Sequence, residues 1–335
     1  MDRCKIYCLG LLACLILTLL NGCEQVSVRD NNLETTTVLL QIGMDGVKTK
    51  VDDINALPFE GIRTLRVVVS AGSKQIVYNR KFTAVDLGSG ISNALLDKSL
   101  KLEGIPLGEA IFYIIANEES LGVEYTTEKI LEELSNTTKI VFIDNLVNLC
   151  FPKSYSEIAT YGLPMSGSSN VVTVAKGMGA VTVSLKRAVV KLNLVVENAT
   201  SSALTLQDVT FGQFSGDRFY LFPTALLDVP DDTRYTTFGY TGIAKTVDSF
   251  TDSDPLIAYI YPTYAFKTGL DNPYKIGLKT SNKDYGSLVF GEGYNSFPRN
   301  TQVNIRARIT TEVGVTINFD VEKWDDYTID VPAFE

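Results

Sequence analysis

The chain has 335 residues, a net charge of −9 and no histidine. Its length allows about two domains at the usual 100–200 residues each, and its acidic balance argues against nucleic acid, which selects basic patches. Without histidine, Ser-His-Asp and Cys-His hydrolases and nearly all zinc centres are removed; a two-carboxylate glycosidase survives that cut, as does a Ser-Lys enzyme, but sequence alone pairs no two carboxylates across the fold, and the expectation is a non-enzyme with no metal or cofactor.

The first element is a leader. Arg3 and Lys5 precede an apolar run over residues 6–20. That run has the size of a secretory h-region, about 7–15 residues, and falls short of the roughly 20 that a membrane span needs. Leu20-Asn21-Gly22-Cys23 then reads as a lipobox. It places cleavage between Gly22 and Cys23, a diacylglycerol on the Cys23 sulfur, and attachment to a membrane through acyl chains worth about 0.8 kcal/mol per buried CH₂. A rival match, Leu11-Leu12-Ala13-Cys14, would leave the apolar residues 15–20 unused on the mature end. Cys4, Cys8 and Cys14 depart with the leader 1–22, so beside Cys23 only Cys150 remains and no internal disulfide is available. Its setting, "NLVNLCFP", reads as a buried inert thiol.

The rest reads as strand after strand. "TTTVLLQIGM" is the first, with Val38, Leu40 and Ile42 facing inward. In "IRTLRVVVSA", Leu65, Val67 and Val69 share one face and Thr64, Arg66 and Ser70 the other. "TEKILEEL" is a short helix begun near Thr127, with Ile130, Leu131 and Leu134 on one side. The glycine-bearing stretch "AKGMGA", residues 175–180, is the expected seam between domains 23–180 and 181–335. In "RAVVKLNLVVEN", Ala188, Val190, Leu192, Leu194 and Val196 alternate with Arg187, Lys191, Asn193 and Glu197. Aspartates in "DVPDD" (Asp228, Asp231, Asp232) and "DSFTDSD" (Asp248, Asp252, Asp254) match no calcium-loop spacing and read as solvated turns. Tyr259, Tyr261 and Tyr264, with Trp324, are a candidate stacking platform for a glycan, although strand aromatics more often pack in a core. Near the end, Val303, Ile305, Ala307 and Ile309 form one strand. After a turn at Thr311-Glu312, Val313, Val315, Ile317, Phe319 and Val321 form its hairpin partner. Period-two alternation throughout calls for an all-β chain of two β-sandwich domains in tandem.

Several segments together resemble the fimbrillin superfamily, the lipoprotein pilins of Bacteroidales-type bacteria. They are "FEGIRTLRVVVSAGSKQIVYN", "IPLGEAIFYIIANEE" with its Ala116-Asn117 turn, "GLPMSG" followed by "VSLKRAVVKLNLVVEN", and the end from "PRNTQVNIRARI" to "VEKWDDYTIDVPAFE". That end resembles the fimbrium-anchoring branch. The resemblance implies two transthyretin-like Greek-key sandwiches, assembly with pilin subunits by strand exchange, and an outer-membrane, surface-exposed location. In stalk pilins of the family an arginine-specific protease removes the first strand, and a neighbour's strand fills the groove. Such filling gains backbone hydrogen bonds and alternate side-chain burial. Here the loop "DGVKTKVDDINALPFEG" has Lys48 and Lys50 but no arginine; Arg29 precedes the first strand and Arg63 lies beyond the loop. The departure suits an anchor that keeps its first strand and its lipid. Alternatives are a processed stalk or tip pilin and a glycan-binding surface lipoprotein. The expected region of subunit contact is the C-terminal hairpin, with Val315, Ile317, Phe319 and Trp324.

Overall fold

The computed structural model describes residues 34–44, 61–72, 75–87, 99–135, 147–149, 160–222, 229–264, 272–290, 294, 296–310 and 314–323. Gly22, Cys23, Cys150, Asp228 and Trp324 lie outside the described residues. Residues 36–335 form one compact unit; residues 1–35 form another, of which only Glu34 and Thr35 are described.

In the first half the strands are β1 (Thr35–Met44), β2 (Leu65–Ala71), β3 (Gln75–Phe82), β4 (Ser99–Pro106), β5 (Gly108–Ala116), β6 (Val147–Leu149), β7 (Met165–Ser168), β8 (Val172–Val174) and β9 (Val181–Arg187). Among the described residues two helices accompany them, α1 (Ala84–Leu87) and α2 (Thr127–Ser135), with a 3-10 turn at Glu118–Leu121. In the second half come β10 (Val190–Asn198), β11 (Leu204–Gly216), β12 (Arg218–Tyr220), β13 (Tyr235–Tyr240), β14 (Lys245–Val247), β15 (Thr251–Asp252) and β16 (Leu256–Ile260). The last six are β17 (Thr263–Tyr264), β18 (Lys275–Thr280), β19 (Asp284–Val289), β20 (Ser296–Phe297), β21 (Thr301–Thr310) and β22 (Gly314–Lys323).

The first half builds one sheet in the order β3-β2-β5-β7-β9-β1-β4, with β8 also on β5. Its middle strands are apolar on both faces because both faces are covered. Val67, Val68 and Val69 of β2, and Phe112, Ile114 and Ile115 of β5, are all buried in one core. The outward row expected from alternation is therefore buried too: Arg66 and Ser70 are only 5% and 6% exposed. Helix α2 starts where its cap allows, Thr126 accepting the Lys129 N–H at 3.2 Å through Oγ1. Ile130 is buried, but Leu131, expected beside it, is 54% exposed.

The second half builds two facing sheets, β15/β16-β10-β21-β22 and β13/β14-β11-β18-β19. Leu192, Leu194, Val303 and Ile305 from one meet Leu206, Val209, Ile276 and Leu278 from the other in a second core. Tyr240 donates its hydroxyl to the Ile257 carbonyl, and burial pushes that phenol up to about 12. β1 runs parallel to β9, and β10 to β21. Parallel neighbours cannot be joined by a hairpin, so local alternation gives no sign of them.

The seam differs from the one expected at residue 180. "AKGMGA" is a tight turn inside the first sheet, closed by Met178 N–H donating to the Ala175 carbonyl at 3.3 Å, with Gly177 at φ 71°. Residues 181–187, expected to open the second domain, form β9 of the first sheet, and the core changes between Val189 and Val190. The halves are also laced together, since β12 pairs with β6 and Phe219, Leu221, Phe222, Tyr259 and Tyr261 pack in the first core.

Candidate functional site

The site follows from where the first strand lies. β1 sits between β9 and β4, with Leu40 opposite Val181 and Ile42 opposite Val183. Val38, Leu40 and Ile42 are buried in the first core, while Leu39 and Gln41 point outward and are exposed. At about 1.5–3 kcal/mol per fully buried aliphatic side chain, these three contribute roughly 5–9 kcal/mol. A domain's whole net stability is about 5–15 kcal/mol. Taking β1 away would leave β9 and β4 with unpaired backbone groups beside an apolar slot.

The neighbouring framework is tied by polar groups far apart in sequence. Asn117, at φ 56° and fully buried, accepts the N–H groups of Arg63 (2.7 Å) and Thr64 (3.3 Å) through Oδ1. Its Nδ2 donates to the carbonyls of Gly61 (2.9 Å) and Leu163 (2.6 Å). A Cβ on Gly162 would lie 2.5 Å from that Nδ2, so the glycine of "GLPMSG" is required by the asparagine of "IIANEE". Next to it Glu118 takes Arg66 in a buried two-pronged pair, with Nε and Nη2 each at 2.7 Å, and accepts the Tyr125 N–H at 3.1 Å. Burial works against the Arg66 charge, but Glu118 and Glu124 outweigh it and hold the guanidinium above its ordinary value. Burial likewise pushes Glu119 up, yet hydrogen bonds from Lys81 and Thr64 hold its carboxyl below the usual range.

The remaining motifs meet where the two cores join. Arg299 of "PRN" is 7% exposed and donates to the carbonyls of Arg187 (3.3 Å) and Leu221 (3.0 Å) and to Ser166 Oγ (3.1 Å). Ser166, of "PMSG", in turn donates to the Leu221 carbonyl. A Cβ on Gly167 would meet the Ser184 carbonyl oxygen at 2.1 Å, so β7 and β9 approach closely only with glycine there. Alternation does not mark Asn117, Glu118 and Arg299 as site residues. The available signal was a polar residue interrupting an apolar run, at Asn117 after "IFYIIA" and at Arg299 after "SFP".

The hairpin of β21 and β22 is in register from Thr301↔Lys323 to Thr310↔Gly314. Val315, Ile317, Phe319 and Val321 are partly buried against the second core, Phe319 packing on Phe290 and Tyr294 with centroids 6.3 Å and 5.5 Å away. Among the described residues β22 pairs only with β21, and its other edge has no strand partner among them. The glycan platform does not form from the tyrosines whose side chains are described. Tyr259 and Tyr261 are 1% and 2% exposed, and Tyr261 stacks on Phe219 at 4.5 Å. The acidic turns are engaged by cations, Asp232 by Arg218 at 2.5 Å, Asp252 by Arg306 at 2.8 Å and Asp254 by Lys245 at 3.2 Å. No group of potential metal ligands occurs among the described residues, and none of their helices is long and apolar enough to cross a membrane.

No curated protein matches the chain. Among solved structures it is similar to a fimbrial assembly protein from Parabacteroides distasonis, at 16% identity and a TM-score of 0.54 over 88% of this chain and 97% of that one. It is also similar to the tip fimbrial protein Mfa3 from Porphyromonas gingivalis with C-terminal truncation, at 14% identity and a TM-score of 0.55 over 87% of this chain and 100% of that one. At such identities the likeness is one of fold. The family model of the fimbrillin-A associated anchor proteins Mfa1 and Mfa2 matches residues 153–330, which take in β7 to β22 and the Ser166–Arg299 junction, and the chain belongs to that family.

Proposed function

We propose that this protein is the anchor subunit of a fimbrium, an outer-membrane lipoprotein that keeps its first strand and its Cys23 lipid and roots a pilus assembled by strand exchange. The observation that carries the reading is the seat of β1, whose Val38, Leu40 and Ile42 fill the first core of a chain in the anchor family. The loop after β1 offers Lys48 and Lys50 but no arginine to an arginine-specific protease, in keeping with a strand that stays. With its own groove filled, the anchor offers pilin subunits a different element. The edge of β22 away from β21, with Val315, Ile317 and Phe319 beside it and Trp324 beyond, is that element. Cleavage before Cys23 leaves a mature chain of two tandem β domains whose cores change over at Val189/Val190. The role is structural, without catalysis or cofactor.

Mass spectrometry of the protein extracted from membranes of cells that assemble it tests this. The expected result is an acylated N-terminal peptide beginning at Cys23 and still continuous with Thr35–Met44. A mature chain starting beyond Met44 without lipid would overturn the anchor role in favour of a processed stalk or tip pilin.

A further inference from the structure

The outward face of the β13-β11-β18-β19 sheet carries a feature that the anchor role does not use. Four residues fall in one register row across it, Gly239, Thr210, Gly277 and Ser287. A Cβ at Gly239 would meet the Val209 carbonyl oxygen at 2.2 Å, and one at Gly277 would meet Thr210 Oγ1 at 2.4 Å. The row is thereby kept free of bulky side chains, and it forms a trough of about 450 Å³ flanked by Thr237 and Lys275. Sites for small ligands typically enclose about 300–1,000 Å³. Below the row, Phe238 stacks on Phe211 with centroids 4.7 Å apart, which gives the sheet a stiff base.

The chemistry of the trough narrows what it can hold. It runs across the strands, whose N–H and C=O groups are already paired with one another, so an extended peptide gains no ladder hydrogen bonds there. It offers instead the exposed hydroxyls of Thr210, Thr237 and Ser287, none of which has a protein hydrogen-bond partner among the described residues. Hydroxyls donate and accept alike, as the hydroxyls of a sugar do, and the two glycines, one on each side of Thr210, leave the backbone open to close approach by a ring. One cation completes it. Among the described residues the Lys275 ammonium has no carboxylate partner, whereas Lys279 on the same strand pairs with Asp208 at 3.6 Å and Lys245 pairs with Asp254 at 3.2 Å.

We propose that this trough binds an acidic saccharide, its ring lying along the Gly239–Thr210–Gly277–Ser287 row and its carboxylate meeting Lys275. Calorimetric titration of the full mature chain tests it, with tetragalacturonate as probe and galactotetraose and tetraglutamate as comparisons. The uronate is expected to bind saturably with a Kd of about 1 mM or tighter, as befits a shallow site. Raising the salt should weaken binding, since an exposed charge contact is screened. Lys275→Gln should raise the Kd about tenfold, and Lys275→Arg should largely keep it. Thr237→Val with Ser287→Ala should weaken the uronate while leaving the melting temperature unchanged, because both hydroxyls face solvent. Absence of saturable uronate binding overturns the proposal. So does equal binding of the neutral tetramer, equal binding of tetraglutamate, or an affinity indifferent to Lys275→Gln.

Discussion

Asn117 is one side chain that satisfies four backbone groups while holding its own backbone in the left-handed region at φ 56°. Asparagine tolerates that conformation better than most residues, and its amide is the one side chain of that length that presents an acceptor and two donors together. Alanine there would leave buried backbone groups unsatisfied at about 1–3 kcal/mol each, so Asn117→Ala should lose at least about 3 kcal/mol in urea unfolding. Asn117→Gly loses the same hydrogen bonds but accepts the positive φ, and should be less damaging by about 1 kcal/mol. A loss below 1 kcal/mol for the alanine variant would show that the turn is held by something else. The same logic explains Gly162, whose missing side chain is the space the amide occupies.

At the scale of an element, β1 and β22 are opposites. β1 is a strand with partners on both sides and a buried apolar row, and β22 is an edge with a half-buried one. Leu40 and its neighbour Leu39 separate the core contribution of β1 from its surface one, because they are adjacent, identical in type, and point to opposite faces. Leu40→Asp places a carboxylate in the first core and should cost more than about 3 kcal/mol, with fast hydrogen exchange along β1 and β9. Leu39→Asp should stay within about 0.5 kcal/mol of the parent and keep those amides protected. Equal exchange in the two variants would mean that β1 is not an integral part of the sheet. Nothing in β1 itself marks its parallel neighbour, since β9 lies some 140 residues away along the chain.

Across the whole molecule, the Arg299 junction and the charge inventory each set a measurable property. Arg299 joins acceptors from β7, from the end of β9 and from the segment after β12. Its removal takes hydrogen bonds from three buried groups at once. Calorimetry is expected to show one transition in the parent and two in Arg299→Ala, as the cores lose their shared tie; a single transition in both would assign the coupling to apolar packing alone. With no histidine, no side chain of ordinary pKa titrates between about pH 6 and 8, so melting temperature should be flat there. Despite burial, Glu119 is held below the usual carboxylate range by Lys81 and Thr64, and Asp217 by Arg218 and the Arg234 N–H. The stability they contribute is present above their unfolded values and is lost as pH falls through the folded ones. Glu133, raised by burial, works in the opposite sense, its contribution being lost as pH rises. The net expectation is a melting temperature that declines below about pH 4, and a rise on acidification would contradict it. Alternation along the chain by itself determined that the fold is all-β and that Leu192, Leu194, Val303 and Ile305 belong to a core. Period two is a local property of a strand with one buried face, so it can be read without knowing the neighbour. Which strands neighbour one another was decided only by the tertiary structure. Residues 181–187 joined the first sheet, β1 ran parallel to β9 and β10 to β21, Arg66 met Glu118, Tyr259 and Tyr261 turned into the first core, and Leu131 stayed in water. Each of these depends on a partner from elsewhere in the chain, and local periodicity carries no information about that partner's identity.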